Sequence, residues 1–387
     1  MKAVILAGGM GERLKPLTNV IPKALASIQG KPIIQHQIEI LTKLGVLEFV
    51  ILTGYRSEMI RNYLTSVNKT SLISIHVAET PQTFSPAQRL IAAKELIGED
   101  FLLIYCDNMI NDEKALMKII SSSKPITFLV EKRLIGNSVV FPRYRYFLER
   151  SQASPYVELG FIHIQTEAFF RELNSTNSLQ ETLATASLEI DCGVEITNDS
   201  LSSVSDISRF NSLRRGRRTL LLDRDGILNK KMPHRTYLNN FKDYIPLQDN
   251  LNDLHSLYSK ETDFIIITNQ PGLATGQVEK TFLDDLHSRM ITSMLVMGIS
   301  IIGLYVCGHH WDENCPCRKP KPGMILQAIK DYQLVPDKIA YVGDEQKDLD
   351  AARSAGITGI CLTETPYLGQ FKDFKEAFDS IQKIISM

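Results

Sequence analysis

Two α/β domains in tandem, each built on a parallel sheet, are what this sequence predicts, and three observations predict them. Short β-branched runs alternate with stretches carrying apolar residues at helical spacing along the whole chain. That alternation pauses once, at the polar stretch SVSDISRFNSLRRGRRT of 203–219. It restarts with TLLLDRDG, a second apolar strand that ends in acidic residues and glycine. A length of 387 residues agrees, at roughly 150 residues per domain, and is ample for two cores without a disulfide or metal to hold them.

Taken in order, KAVILA, FVILT, LISIHVA, FLLIYC, ITFLV and GFIHIQ read as the strands of the first half. Helical spacing fills 32–44, 57–66, 86–97 and 112–121 between them. The opening MKAVILAGGMGERLKPLT has a short apolar run after one lysine, but Gly-Gly and two charges follow at once. It therefore reads as a first strand entering a loop, not as a secretory leader. In the second half TLLLD, DFIIITNQ, ISIIGLYVC, KIAYVGD and TGICL are strands, with helices near 249–260, 279–297, 322–332 and 346–355. The expected division is a domain over 1–212, a basic linker over 213–218 and a domain over 219–387. Arg209, Arg214, Arg215, Arg217 and Arg218 gather around that join. A short charge run is usually solvated, so a flexible connector is expected there.

Composition narrows the function. Hydrophobic residues make up 44% and charged residues 22%, an ordinary globular balance. Lys+Arg 43 against Asp+Glu 44 leaves a net charge of -1, which excludes a broadly basic nucleic-acid binder. No apolar run approaches the roughly 20 residues that cross a bilayer, and a cytoplasmic protein is expected. Of six cysteines, Cys106, Cys192 and Cys361 sit in apolar contexts as small buried residues. Cys307, Cys315 and Cys317 cluster beside two histidines, which in a reducing compartment suggests metal before disulfide.

The sharpest signal is TLLLDRDGILN (219–229), where an apolar strand delivers Asp223 and Asp225 into a loop relaxed by Gly226. Ligands of open α/β sheets sit beyond the carboxyl ends of strands. Two close carboxylates there repel unless a cation or a shared proton offsets them. Other strand ends add Thr268 and Asn269, then Arg318, Lys319 and Lys321 of CRKPKPG, then Gly343 and Asp344. In this order the half from 219 to about 365 resembles the haloacid-dehalogenase-like phosphatases. Its LDRDG, TNQPGLATG and CRKPKPGM are similar to the branch that holds histidinol-phosphate and heptose-bisphosphate phosphatases.

The resemblance implies Asp223 as the nucleophile that forms an aspartyl-phosphate and Asp225 as the acid and later base. It implies Mg²⁺ held by Asp223, Asp344 and the backbone carbonyl of Asp225, with Thr268 and Lys319 on the phosphoryl oxygens. Asn269 and Arg318 are expected to bind substrate, Arg318 as a clamp on a second anionic group. Cys307, His309, Cys315 and Cys317, as C-x-H-x5-C-x-C, suit closed tetrahedral structural Zn²⁺ bracing the loop of Arg318 and Lys319. His310 is taken as outside that site, and Trp311 either lines the substrate mouth or simply packs.

In the first half, MKAVILAGGMGERLKPLTNVIPKAL (1–25) is a strand, a glycine-rich turn and then Arg13 and Lys23. Gly8, Gly9 and Gly11 let backbone N–H groups approach phosphate, and Arg13 adds charge. At its full length the segment resembles the sugar-1-phosphate nucleotidyltransferases, over about 1–212. The resemblance implies a Rossmann-like fold, so the class expected for the whole chain is α/β with two Rossmann-like domains. The first would have a nucleotidyltransferase fold and the second a haloacid-dehalogenase-like fold with a zinc loop. It also implies Mg²⁺ between Asp107 and Asp206, with Lys23 offsetting charge in the transition state. Glu158 and Gly160 fall near the sugar-binding segment. One departure stands out. FSPAQR (84–89) replaces the family's L-G-T-A-G-A, so backbone that met a ligand through glycine carries side chains. The usual Glu-Lys-Pro is reduced to Glu149-Arg150.

Together these imply a bifunctional enzyme acting on sugar phosphates and a nucleoside triphosphate, with neither nucleic acid nor membrane as partner. Heptose 1,7-bisphosphate and a heptose 1-phosphate are the natural substrates. The alternatives are a first half that only binds or regulates, and histidinol phosphate as the substrate of the second.

Overall fold

Each apolar run becomes a strand in one of two sheets. The computed structural model describes the chain apart from residues 69–71, 99, 133–155, 166, 174–177, 190–191, 198–201, 235, 259–260, 364–369 and 386–387. Its residues divide into two compact units. One comprises Met1–Leu14, Pro22–Ala26 and Pro32–Arg209, the other Lys15–Ile21, Ser27–Lys31 and Phe210–Met387.

The main sheet of the first unit has seven strands: β1 (Lys2–Ala7), β2 (Glu48–Thr53), β3 (Ser74–Glu79), β4 (Asp100–Tyr105), β5 (Ile126–Lys132), β6 (Tyr156–Gln165) and β7 (Cys192–Thr197). Their order is β7-β5-β6-β4-β1-β2-β3. Strands buried on both faces read as unbroken apolar runs, and Ala3, Val4 and Ile5 are fully buried. The expectation of a parallel sheet fails at one strand: β6 runs antiparallel to both β4 and β5. An apolar run carries no mark of direction; the connection sets it. Helices α1 (Ile33–Lys43), α2 (Ser57–Val67), α3 (Pro86–Ala92) and α4 (Glu113–Ile120) follow the expected spacing. Leu90 of α3 packs with Val4, Leu52, Phe101 and Phe128, each such side chain stabilising by about 1.5–3 kcal/mol on burial.

The second unit carries five parallel strands, β8 (Arg218–Leu222), β9 (Thr262–Asn269), β10 (Ile301–Cys307), β11 (Ile339–Gly343) and β12 (Thr358–Cys361), ordered β10-β9-β8-β11-β12. The chain leaves central β8 toward β9 and β10, then returns to β11 on the other side. This reversal opens a crevice beyond the carboxyl ends of β8 and β11.

The join differs from expectation. A helix, Ile207–Leu213, carries the chain past Arg209, and Phe210 is fully buried. Arg214 lies over the rings of Phe210 and Tyr332 and pairs at 2.8 Å with buried Asp263, which Arg217 also meets at 2.9 Å. The 213–218 segment is therefore packed structure of the second unit, because a buried carboxylate recruits two of its arginines. Cys106 and Cys361 are buried and free; the side chain of Cys192 and the pair Glu149-Arg150 lie outside the described residues.

Candidate functional site

In the second unit β8, β9 and β11 deliver their last residues to one edge. Asp223 follows β8 and is tied to β11 by its N–H donating to the Val342 carbonyl at 2.9 Å. Its Oδ1 accepts from the Arg224 N–H at 2.7 Å and from Lys319 Nζ at 2.9 Å. Lys319, 2% exposed, also reaches Asp348 Oδ1 at 2.9 Å, the Tyr341 hydroxyl at 2.7 Å and the Ile267 carbonyl at 3.1 Å. Burial pushes the Asp223 carboxyl up to about 6, against the pull of Lys319 and with the push of Asp348 and Asp225. Gly226 is needed where it stands: its φ is +87°, and a Cβ would lie 2.4 Å from Asp344 Oδ2.

Asp225 is loaded with donors. Arg224, 1% exposed, holds both of its oxygens at 2.8 Å, Asn229 adds a bond at 3.0 Å and Gln270 one at 2.9 Å. Burial raises its carboxyl, but the Arg224 charge and these bonds outweigh that and leave it below its ordinary value. Gln270 also donates to the Thr268 hydroxyl at 2.8 Å. Asn269, expected on the substrate, braces Lys319 from both ends of its amide: Nδ2 donates to the Lys319 carbonyl and Oδ1 accepts its N–H. Arg318 has a buried Nη1 with no hydrogen-bond partner. Sequence reasoning missed Asp348, Tyr341 and Arg224. Asp348 lies one helical turn past Asp344, and that spacing was its available signal.

A hard cation fits this edge. Carboxylate oxygens of Asp223, Asp344 and Asp348 lie within 4.8 Å of one another. Asp344 Oδ2 accepts from Lys231 at 2.8 Å, while its Oδ1 is buried without a partner. An all-oxygen donor set with one orphaned acceptor suits Mg²⁺.

The loop after β10 gathers Cys307, His309, Cys315 and Cys317 into one cluster. The three Sγ–Sγ separations are 3.7, 3.4 and 3.4 Å, and His309 Nδ1 lies 3.2 Å from Cys317 Sγ and 3.7 Å from Cys307 Sγ. A disulfide would need about 2.05 Å, whereas the edge of a tetrahedron around Zn²⁺ with 2.3 Å bonds to sulfur is about 3.8 Å. The cluster fits the metal. His310 faces away, accepting from the Asp312 N–H and stacking on Trp311, itself 54% exposed.

The first unit holds a cavity of about 360 Å³ lined by Gly8, Gly9, Gly11, Arg13, Lys23, Arg89 and Asp107 among others. Lys23 pairs with Asp107 at 2.6 Å. Gln37 braces the loop that carries Asp107, donating to the carbonyls of Tyr105 and Asn108. Asp206, expected as a second metal carboxylate, is not on the cavity wall. It starts the helix Ile207–Leu213, accepting from the Arg209 N–H at 2.9 Å and from the Ser205 hydroxyl at 3.2 Å, the work of an N-cap. Glu158 is turned onto the N–H of Gly160. The FSPAQR segment is put to another use. Ser85 and Gln88 form a capping box that starts α3 with Pro86 in its first turn. Arg89 then runs inward beneath the glycine loop, a residue that sequence reasoning passed over.

A nucleotidyl transferase family profile matches residues 2–133, and a haloacid dehalogenase-like hydrolase profile matches residues 173–362. The D-glycero-beta-D-manno-heptose-1,7-bisphosphate 7-phosphatase of Helicobacter pylori is 33% identical over 172 residues, which is 43% of this chain and 98% of that protein. A crystal structure of D,D-heptose 1,7-bisphosphate phosphatase from B. bronchiseptica, complexed with magnesium and phosphate, matches at 26% identity and a TM-score of 0.38, over 43% of this chain and 98% of that one. The inositol-1-phosphate CTP transferase of T. maritima matches at 17% identity and a TM-score of 0.44, over 56% and 96%.

Proposed function

The chain belongs, through its second half, to the haloacid dehalogenase-like hydrolases, behind a nucleotidyltransferase domain, and from that premise we propose a bifunctional enzyme of sugar-nucleotide synthesis. On this reading the second half removes the distal phosphate of heptose 1,7-bisphosphate, and the first half joins a nucleoside triphosphate to the heptose 1-phosphate that remains.

One observation carries the phosphatase half: a buried lysine bridging two buried carboxylates at a strand end, beside a third carboxylate with an orphaned oxygen. Asp223 attacks phosphorus, its carboxylate oxygen forming the new P–O bond while the bond to the sugar oxygen breaks. Lys319 holds Asp223 in place and neutralises phosphoryl charge, and Thr268 offers its hydroxyl to the same oxygens. Asp225 gives the departing alkoxide a proton. It then takes one from the water that hydrolyses the aspartyl-phosphate, the half-reaction for which its Arg224-stabilised ionised form is ready. Asp223, Asp344 and the carbonyl of Asp225 would hold Mg²⁺, which when bound offsets repulsion between the carboxylates and the phosphate. The Cys₃His cluster would hold structural Zn²⁺ two residues before Lys319.

Support for a bisphosphorylated sugar comes from the named activity of the relatives and from Arg318, whose buried Nη1 has no hydrogen-bond partner among the described residues and would suit a second phosphate. Phosphorus NMR of the product tests it. A retained anomeric phosphate is expected, and its loss, or a preference for histidinol phosphate, would overturn the link between the halves. Pyrophosphate release with a heptose 1-phosphate and each common nucleoside triphosphate tests the first half. Binding without release would make it a regulatory module.

A further inference from the structure

Arg89 is 3% exposed and lies on the wall of the first-unit cavity. Its guanidinium has five N–H bonds to place. Nη1 donates to the Thr53 carbonyl at 2.9 Å and to the Thr80 hydroxyl; Nη2 donates to the carbonyls of Gly8 and Gln82, each at 3.1 Å. All four acceptors are neutral. The other deeply buried arginines among the described residues are treated differently, Arg214 meeting Asp263 and Arg224 meeting Asp225. Among the described residues no carboxylate pairs with Arg89, and burial alone pulls its pKa below the ordinary value. A buried cation without a counter-charge is costly. The other cations lining the cavity differ from it, since Lys23 is paired with Asp107 and Arg13 is exposed. The fifth bond, Nε–H, has no partner among the described residues.

The same side chain shapes the loop. The guanidinium packs directly against two glycines: a Cβ on Gly8 or on Gly54 would lie 2.4 Å from it. The Gly8 carbonyl is drawn onto Arg89 and onto the Tyr55 N–H at 3.1 Å. In a trans peptide the C=O and the following N–H point in opposite directions. Pulling the Gly8 carbonyl back therefore turns the Gly9 N–H forward, and Gly9 lines the cavity with open space before it.

We propose that Arg89 is a positioning residue for a polyphosphate in this cavity, its fork fixing the glycine loop with the Gly9 N–H toward the ligand and its unpaired charge completed by the phosphates. This rests on the reading of the cavity as a nucleoside triphosphate site. It also gives a role to the segment in which this chain departs from the glycine-bearing pattern, because Ser85 and Gln88 start the helix that aims Arg89 inward.

Calorimetry on the intact protein tests it, with inorganic tripolyphosphate, the four common nucleoside triphosphates and their uncharged nucleosides. Arg89→Gln should weaken tripolyphosphate by about tenfold or more, the scale of a charge-assisted bond, and leave the nucleosides nearly unchanged. Arg89→Lys, which keeps the charge and loses the fork, should recover part of the loss. Phosphatase turnover, measured on the same samples, should not move. Equal tripolyphosphate affinity in Arg89→Gln and the parent overturns the proposal, as does an equal loss of tripolyphosphate and nucleoside, which is what mere packing would give. Should Arg89→Gln not fold, Thr80→Val decides, since it removes one acceptor and leaves the charge. Weakened tripolyphosphate binding supports the proposal and unchanged binding overturns it. A parent protein that binds neither tripolyphosphate nor any nucleoside triphosphate overturns the reading of the cavity as well, a result distinct from failure at Arg89 alone.

Discussion

In the second unit Lys319, 2% exposed, stands between two carboxylates at 2.9 Å each; in the first, Arg89, 3% exposed, meets only neutral oxygens among the described residues. Both are buried cations that reach backbone near the carboxyl ends of strands, Lys319 at Ile267 and Arg89 at Thr53. Where the chain supplies the counter-charge itself, the reactive geometry is assembled before any ligand arrives, as suits a nucleophile that must be aimed. Where it does not, the site is completed only by what it binds. The first arrangement favours catalysis by fixed groups, and the second makes affinity depend on ligand charge.

The largest expected effect separates the two units outright. Asp223→Asn removes the proposed nucleophile and should lower phosphate release by several orders of magnitude, because an amide cannot form the aspartyl-phosphate. Nucleotide binding in the first unit, followed by calorimetry, should be unchanged. A joint fall would break the comparison. Cys315→Ser should come next. Elemental analysis should show zinc falling from about one per chain, with phosphatase activity lower by about 10- to 100-fold as the loop of Lys319 loosens.

Stability should then show a pH dependence that belongs to the second unit. His287 is buried against Arg224 at 3.2 Å, and burial, with the Arg224 charge, holds its pKa at about 3, below the 6.5 of an exposed histidine. The unfolded chain therefore takes up the proton first, so stability is level above pH 6.5 and falls as pH drops through that value toward 3. The His287 share of that loss should be about 2 kcal/mol by pH 5, opposed over the same range by Asp223, whose carboxyl, held up at about 6, takes its proton earlier in the folded than in the unfolded chain. Urea midpoints at pH 7 and pH 5 in the parent and in His287→Gln measure it, and the substitution should leave the protein relatively more stable at pH 5 by that amount. Smallest is Ser85→Ala, which removes one cap and should cost the first unit about 1 kcal/mol. Its thermal midpoint should fall, while phosphatase turnover stays put.

Legibility in the sequence followed the same division. Asp223, Asp225, Thr268 and Asp344 were legible as candidates because each stands at or just past the end of an apolar run, where chain order alone brings strand ends together, while Lys319 was legible only through its CRKPKPG segment. Tyr341 was hidden inside such a run, since alternation shows that a residue is buried and not what its hydroxyl meets. Asp206 shows a second limit, because an acidic residue before a helix serves as a cap or as a ligand with the same spelling, and here its carboxylate accepts from the Arg209 N–H and the Ser205 hydroxyl. Arg89 was invisible for a related reason. The change from glycine to Ser85 and Gln88 was plain, but only three dimensions show the following arginine turning under a loop 81 residues away in the chain.

Asp263 sets where this polypeptide can be cut. Its carboxylate is 1% exposed and is satisfied by Arg214 and Arg217, which precede the first strand of their own sheet. A phosphatase fragment begun at Thr219, the boundary that composition suggests, would leave that charge stranded in the interior at a cost of about 3–5 kcal/mol. That is a large share of the roughly 5–15 kcal/mol that holds a domain together. The same fragment begun at Phe210 keeps both arginines and the ring beneath one of them. The arginine-rich stretch is thus a keystone of the module that follows it.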